Sequence, residues 1–177
     1  VSLVYRVEVQ PSKVTHVHVE QSDRVLIDVA LLPVVGDEAM RQMLLEELGR
    51  DGWVPAPAGG RHKDLGDGLV AVTSADGRTV TISATARRAV GGSGFSDAEA
   101  DLVAARNAAA AADSVRREAT ERLARVEGDV RATIEAATQR VYVEALQQKA
   151  RSLGHVESLQ RRDGDDGVVE ITIKVRA

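Results

Sequence analysis

Val115-Arg-Arg-Glu-Ala119-Thr-Glu-Arg-Leu123-Ala-Arg-Val126-Glu-Gly-Asp-Val130-Arg-Ala-Thr-Ile134-Glu-Ala-Ala137-Thr-Gln-Arg-Val141-Tyr-Val-Glu-Ala145 places its apolar residues in steps of four, four and three. The steps sum to eleven residues, about 3.67 per turn, which predicts a nearly straight or slightly right-handed helical seam. Glu118/Arg122, Glu121/Arg125 and Glu127/Arg131 add pairs four apart with the acid first, the favourable order on a helix. Helical composition extends back to Ser96-Asp-Ala-Glu99, which reads as a capping box, and forward to Leu153, with Gly154 as the stop. Gly128 leaves two readings open. One is a single helix of about 85 Å at 1.5 Å per residue. The other is an antiparallel pair with Asp129 as a new cap. The seam keeps its phase across Gly128, which favours the single helix.

The N-terminal half of this stretch holds small residues, Ala108 to Ala112 among them. Such a surface permits close approach but buries little area. A partner helix or a second protomer is therefore expected along it, as a coiled coil or helical hairpin. Val115, Ala119, Leu123, Val126 and Val130 are the expected contact residues.

Outward from the helix, the sequence reads as strands. Leu3, Tyr5, Val7 and Val9 alternate with polar residues, and Val14 to Glu20 resumes after Pro11-Ser12, so 3–20 is expected to be a hairpin. Gln21 to Arg24 reads as a turn and Val25 to Leu32 as a central strand. Asp37 is a suitable N-cap for a helix over 38–48, with Met40, Met43, Leu44 and Leu48 on one face and Gly49 as its stop. Trp53-Val-Pro55 reads as a short edge segment, because proline cannot donate to a ladder. Residues 56–68, with four glycines and Arg61-His-Lys63, read as a mobile loop carrying solvated charge. Residues 69–73 and 79–85 form a hairpin about Asp76-Gly77. Gly91-Gly-Ser-Gly94 reads as a hinge. His155–Gln160 and Val168–Arg176 close the chain as another hairpin. The order helix, glycine, strand, Asp-Gly, strand thus occurs twice, as a true pseudo-repeat would show.

The fold class is α+β: a mainly antiparallel sheet packed on helices, with a long Ala-rich helical arm projecting over 97–127. The expected division is 1–90 as sheet and helix, 91–128 as the arm, and 129–177 as a helix and hairpin completing the same domain.

The 177 residues carry a formal net charge of -4, no cysteine and 2% aromatic residues. The acidic balance and the four aromatics argue against a nucleic-acid footprint. The missing cysteines remove disulfides, thiol nucleophiles and cysteine metal sites. No apolar run approaches a membrane span and the start lacks a signal-peptide pattern, so a cytoplasmic protein is expected. His16 and His18 lie two apart on a strand, hence on one face, and are a candidate metal pair without a third ligand. Gly91 to Gly94 lacks the lysine of a phosphate loop and the spacing of a dinucleotide fingerprint. Asp163, Asp165 and Asp166 lack the glutamate a calcium loop needs. No nucleophile-base-acid arrangement is visible, so no catalytic residue and no cofactor are assigned.

Ala137-Thr-Gln-Arg140-Val-Tyr142-Val-Glu-Ala-Leu146, then Gly154, then Asp166-Gly167-Val-Val-Glu-Ile171 resembles the C-terminal half of the plastid and cyanobacterial conserved-reading-frame family called Ycf thirty-five. Val141 stands at that family's first tyrosine, and Tyr142 falls one place later. Leu44-Leu-Glu-Glu-Leu-Gly49 and Trp53 are similar to its upstream segment. The resemblance covers about 24–90 and 129–176, with 1–20 and 97–127 as additions. Such relatives occur beside AAA+ ATPases, including bacterial ternary systems with von Willebrand-type domains. The resemblance implies a non-enzymatic accessory or adaptor protein that self-associates or docks to an AAA+ ATPase through the arm. The alternative is a small-ligand or metal-binding regulatory domain using His16, His18 and the 56–68 segment.

Overall fold

The computed structural model describes residues 11–163 and 169–176. The fold is α+β, as expected. Five strands form one antiparallel sheet in the order β1-β5-β4-β3-β2, with β1 at Lys13–Asp28, β2 at Val54–Pro55, β3 at Arg61–Gly66, β4 at Leu69–Thr73 and β5 at Thr79–Gly94. Helix α1 is Asp37–Arg50 and helix α2 is Asp97–Leu153. Strands β6 (His155–Asp163) and β7 (Val169–Arg176) pair antiparallel in a separate two-stranded sheet. The chain divides into two compact units, Val1–Arg24 with Ser83–Ala124 and Val25–Ile82 with Arg125–Ala177. The expected division at 90 and 128 follows sequence order, whereas each compact unit joins distant stretches.

Several sequence expectations change in the sheet. The first expected hairpin half, 3–10, lies outside the described residues. There is no turn at 21–24: β1 runs through it for 16 residues, with inward residues at every odd position from Thr15 to Ile27. Residues 25–28 therefore belong to a strand at the end of the sheet order, not to a central one. Residues 56–68 are no mobile loop, since β3 pairs with β4 through His62 to Val72 and Lys63 to Ala71. The glycines there make tight turns. Gly59, Gly60, Gly66 and Gly68 all take positive φ, and a Cβ on Gly60 would lie 2.6 Å from the Thr73 and Ser74 carbonyl oxygens. The Asp76-Gly77 turn forms as expected, with Gly77 at φ 65 and the Gly77 N–H donating to the Ser74 carbonyl at 3.0 Å. The helix-strand-strand plan is not repeated, because β2 to β5 join one sheet while β6 and β7 form their own. Asp166-Gly167 lies outside the described residues.

Helix α2 is a single element of 57 residues. Gly128 does not break it. The eleven-residue seam is its buried face: Val115, Ala119, Leu123, Val130, Ile134, Ala137, Val141 and Ala145 are all buried, and the same phase extends to Ala100 and Ala104. At its start the Glu99 N–H donates to Ser96 Oγ at 3.2 Å, as the capping box requires. The Glu99 carboxylate accepts from the Phe95 N–H at 2.8 Å, one residue earlier than expected.

Within the first unit the Ala-rich half of α2 does not project. It lies against the sheet. Gly92 and Gly94 belong to β5 and are the contact, not a hinge. A Cβ on Gly92 would stand 2.2 Å from the Ala100 oxygen and the Ala104 nitrogen, and one on Gly94 would stand 2.6 Å from Glu99 Cβ. Only bare backbone fits there, and alanines on the facing turns of α2 complete the approach. Polar ties flank it. Asn107 donates to the Gly91 carbonyl at 2.7 Å, Arg88 donates to Ser114 Oγ and Glu118 at 3.0 Å each, and Thr120 donates to Asp23 Oδ2 at 2.7 Å. The Thr120 hydroxyl, followed by the Arg24 N–H, holds the Asp23 carboxyl below its ordinary value, with burial opposing.

Two glycines in or against α2 should respond oppositely to alanine. Gly92→Ala forces β5 and α2 apart and is expected to destabilise by about 1–3 kcal/mol. Nothing lies within 4 Å of a Cβ on Gly128, so Gly128→Ala is expected to stabilise by up to about 1 kcal/mol. Urea denaturation of the three proteins checks both signs. Thr120→Val should let the Asp23 pKa climb toward 3.8, as read by NMR titration of its carboxyl carbon. A depressed folded pKa stabilises above the unfolded value and loses that effect as pH falls through the folded one. The cost of Thr120→Val attributable to Asp23 should therefore be full near neutrality and fade in acid.

Candidate functional site

Within the second unit, a groove of about 620 Å³ lies between α1 and the last third of α2, lined by Met43, Glu47, Arg50, Arg140, Val143 and Gln147 among others. It is built from the C-terminus of α1. Gly52, at φ 84, ends that helix in a Schellman motif. The Trp53 N–H donates to the Leu48 carbonyl at 3.0 Å and the Gly52 N–H to the Gly49 carbonyl at 3.2 Å. The expected stop at Gly49 is thus three residues early. Gly49 is instead a helical residue over which Arg61 lies, its Cζ 2.7 Å from where a Cβ would stand.

The same end of α1 gathers cations, as the partial negative charge of its carbonyls favours. Arg61 Nη1 donates to the Trp53 carbonyl at 3.2 Å and Lys63 Nζ to the Asp51 carbonyl at 2.9 Å. The basic cluster read as solvated loop charge is therefore a half-buried part of the cap. Arg50 pairs with Glu47. From α2, Arg140 Nε donates to Glu47 Oε2 at 2.6 Å and its Nη2 to Asp51 Oδ2 at 2.5 Å.

Glu47 is the unexpected member. The buried face of α1 is Met40, Leu44, Glu47 and Leu48, with Met43 half-buried at the groove. Glu47 is 3% exposed, so its charge depends on the two guanidinium groups. The hydrogen bond to Glu47, with a further one to Asp51, raises the Arg140 pKa above its ordinary value against the opposing effect of burial. Two arginines thus grip the buried Glu47 carboxylate, which makes the floor of the groove polar. Two residues on, Tyr142 Oη accepts the Leu32 N–H at 2.9 Å. Arg140 and Tyr142 thus tie α2 to two segments of its own unit. Their signal in the sequence was the Gln-Arg-Val-Tyr motif. For Glu47 it was a charged residue in phase with Met40, Leu44 and Leu48.

The other candidate residues lie elsewhere. His16 and His18 are both exposed on one face of β1, in the first unit, while Arg61–Gly66 belongs to the second. No group of three or more candidate metal ligands occurs among the described residues. Val115, Ala119, Leu123 and Val130 are buried within the single chain, with Val126 half-buried beside them. A face covered by the chain's own fold offers no surface to another protein, so the apolar character of the seam belongs to the interior. The outward face of the same half-helix differs. Ala98, Leu102, Ala105 and Ala109 are all exposed there in steps of four, three and four, Leu102 by 64%. Asp165 and Asp166 lie outside the described residues.

Arg140→Met should leave Glu47 with Arg50 alone. The expected cost is about 1–3 kcal/mol, less than for a fully buried pair because one side of Arg140 stays wet. In a double-mutant cycle by urea denaturation, adding Glu47→Gln should cost clearly less than the sum of the two single changes.

No helix is long and apolar enough to cross a membrane among the described residues. No curated protein and no solved structure matches the chain. The family model for FtsH ternary system domain X5 matches residues 1–177. The match carries the expected AAA+ association, names a family other than the plastid one, and includes 1–20 and 97–127, which the resemblance had left as additions. By this full-length match the chain belongs to the FtsH ternary system domain X5 family.

Proposed function

We propose that this protein is a non-enzymatic accessory component of an FtsH-type AAA+ system, and that it docks to a protein partner along the outward face of the Ala-rich half of α2. Membership of an FtsH ternary system family supports the accessory role. The observation that carries the docking surface is the exposed apolar stripe Ala98, Leu102, Ala105 and Ala109. The inner face of that half-helix is already buried, so a second apolar stripe has no use in the chain's own core. On a helix with one solvent face, those positions are normally polar. Small residues around one leucine admit a partner helix or sheet at short range, with Leu102 as the anchoring side chain.

The test is binding of the full chain to the purified FtsH-type ATPase of its own system, followed by calorimetry. Leu102→Glu should weaken binding at least tenfold, about 1.4 kcal/mol. Because Leu102 is exposed, the same change should leave the thermal midpoint and the circular dichroism unaltered. Wild-type affinity retained by Leu102→Glu would remove this surface, and a wild-type protein without affinity for the ATPase would remove the accessory role.

A further inference from the structure

The face of α2 that lines the groove of about 620 Å³ carries both signs of charge. Arg140, Glu144, Gln147 and Arg151 follow one another in steps of four, three and four, hence along one face, with Gln148 beside them. Arg140 is held by Glu47 and Asp51. Glu144 and Arg151 are exposed, and neither forms an ion pair among the described residues. They stand seven residues apart, about 10.5 Å along the helix at 1.5 Å per residue. One unpaired acid and one unpaired base thus border the same groove, beside the half-buried Met43 and Val143.

A groove bordered by both signs suits neither a purely anionic nor a purely cationic ligand. It suits a surface that carries an acid and a base at the same spacing, and this face is itself such a surface. In an antiparallel helix pair centred between Gln147 and Gln148, Glu144 of each copy is level with Arg151 of the other, so the ion pair forms twice. The two glutamines flank the axis, where a primary amide both donates and accepts and so satisfies its own copy. Other symmetric arrangements set like against like. A parallel pair puts Glu144 level with Glu144 and Arg151 with Arg151. An antiparallel pair centred on either residue opposes it to itself. Each is penalised by charge repulsion. Helix α2 ends at Leu153, which in the favoured register is level with Tyr142 of the other copy. The paired turns therefore stop short of Arg140 and its grip on α1.

We propose that the last turns of α2 pair antiparallel with the same turns of a second copy of this chain, about a two-fold axis between Gln147 and Gln148, so that each copy fills the other's groove. A contact of about three helical turns on each side is small, so the dimer is a weak one. The contact lies in the second unit, whereas the Leu102 stripe lies in the first.

Charge reversal in the full chain, read by sedimentation, tests the pairing. Glu144→Arg and Arg151→Glu should each weaken self-association at least tenfold, because each sets like charges level at both ends of the contact. The double variant exchanges the two signs and should return association to within about threefold of wild type. Both positions are exposed, so circular dichroism should be unchanged in all three. The chain has no cysteine, so single thiols report on the register. Gln147→Cys should oxidise to a covalent dimer. Ser152→Cys is exposed but stands about 13.5 Å along the axis from its own copy, and should cross-link at least tenfold more slowly. Leu102→Glu should leave self-association intact. A wild-type monomer at every concentration, which is what a different occupant of the groove would give, overturns the proposal. So does a double variant as weak as the single ones, or equal cross-linking of the two thiols.

Discussion

A helix whose buried seam is made of alanine and valine can be held only at short range. Methyl-sized side chains leave a gap if the facing surface stands at ordinary distance, and the contacts across that gap are lost. The first unit meets this constraint by removing side chains from the sheet instead of enlarging those on the helix. Gly92 and Gly94 let the β5 backbone touch the turns bearing Ala100 and Ala104. The polar ties of Asn107, Arg88 and Thr120 then fix the helix along the strand direction. Close approach is thus the condition for everything else in that unit, including the exposure of the opposite stripe.

The second unit solves the same problem with charge. There the α2 seam is Val130, Ile134, Ala137, Val141 and Ala145. What it needs is a fixed position against α1, which Arg140 supplies by gripping Glu47 and Asp51 together. The grip lies where α1 exposes its last carbonyls, so Arg61, Lys63 and Arg140 neutralise the helix end as well as the two carboxylates. An apolar residue at 47 would pack as well but would leave Arg140 without its innermost partner.

The sequence was most informative where a pattern is local and periodic. The seam from Val115 to Ala145 was legible because eleven-residue phase survives any tertiary context. The Asp76-Gly77 hairpin was legible because two residues dictate the turn. Glycine was misread wherever a distant partner decided its role. Gly91 to Gly94 and residues 56–68 looked mobile because glycine composition is the same in a hinge, a tight turn and a close contact. Gly49 looked like a helix stop because the Arg61 side chain that requires it lies twelve residues on. The candidate site was less legible still. Glu47 is one charge in an apolar stripe, and its partner is 93 residues away. The solvent-facing stripe through Leu102 was hidden by the stronger inner seam, since both occur in the same alanine-rich stretch.

The phase of α2 also bears on how one helix is buried at both of its ends. Residues 97–124 belong to the first compact unit and 125–153 to the second, and seam residues are buried in each. A helix of this length keeps an apolar face only if its repeat stays close to the turn of the helix itself. A heptad repeat drifts by about 20° per seven residues on a straight helix and would carry its face out of line over this length. An eleven-residue repeat drifts more slowly and in the opposite sense, which suits a nearly straight or slightly right-handed seam. Residues inserted into α2 in any number that breaks this phase would take the apolar residues beyond the insertion out of the seam. Within the first unit the Ala-rich half is held by that seam, with Ala100, Ala104, Val115 and Ala119 all buried.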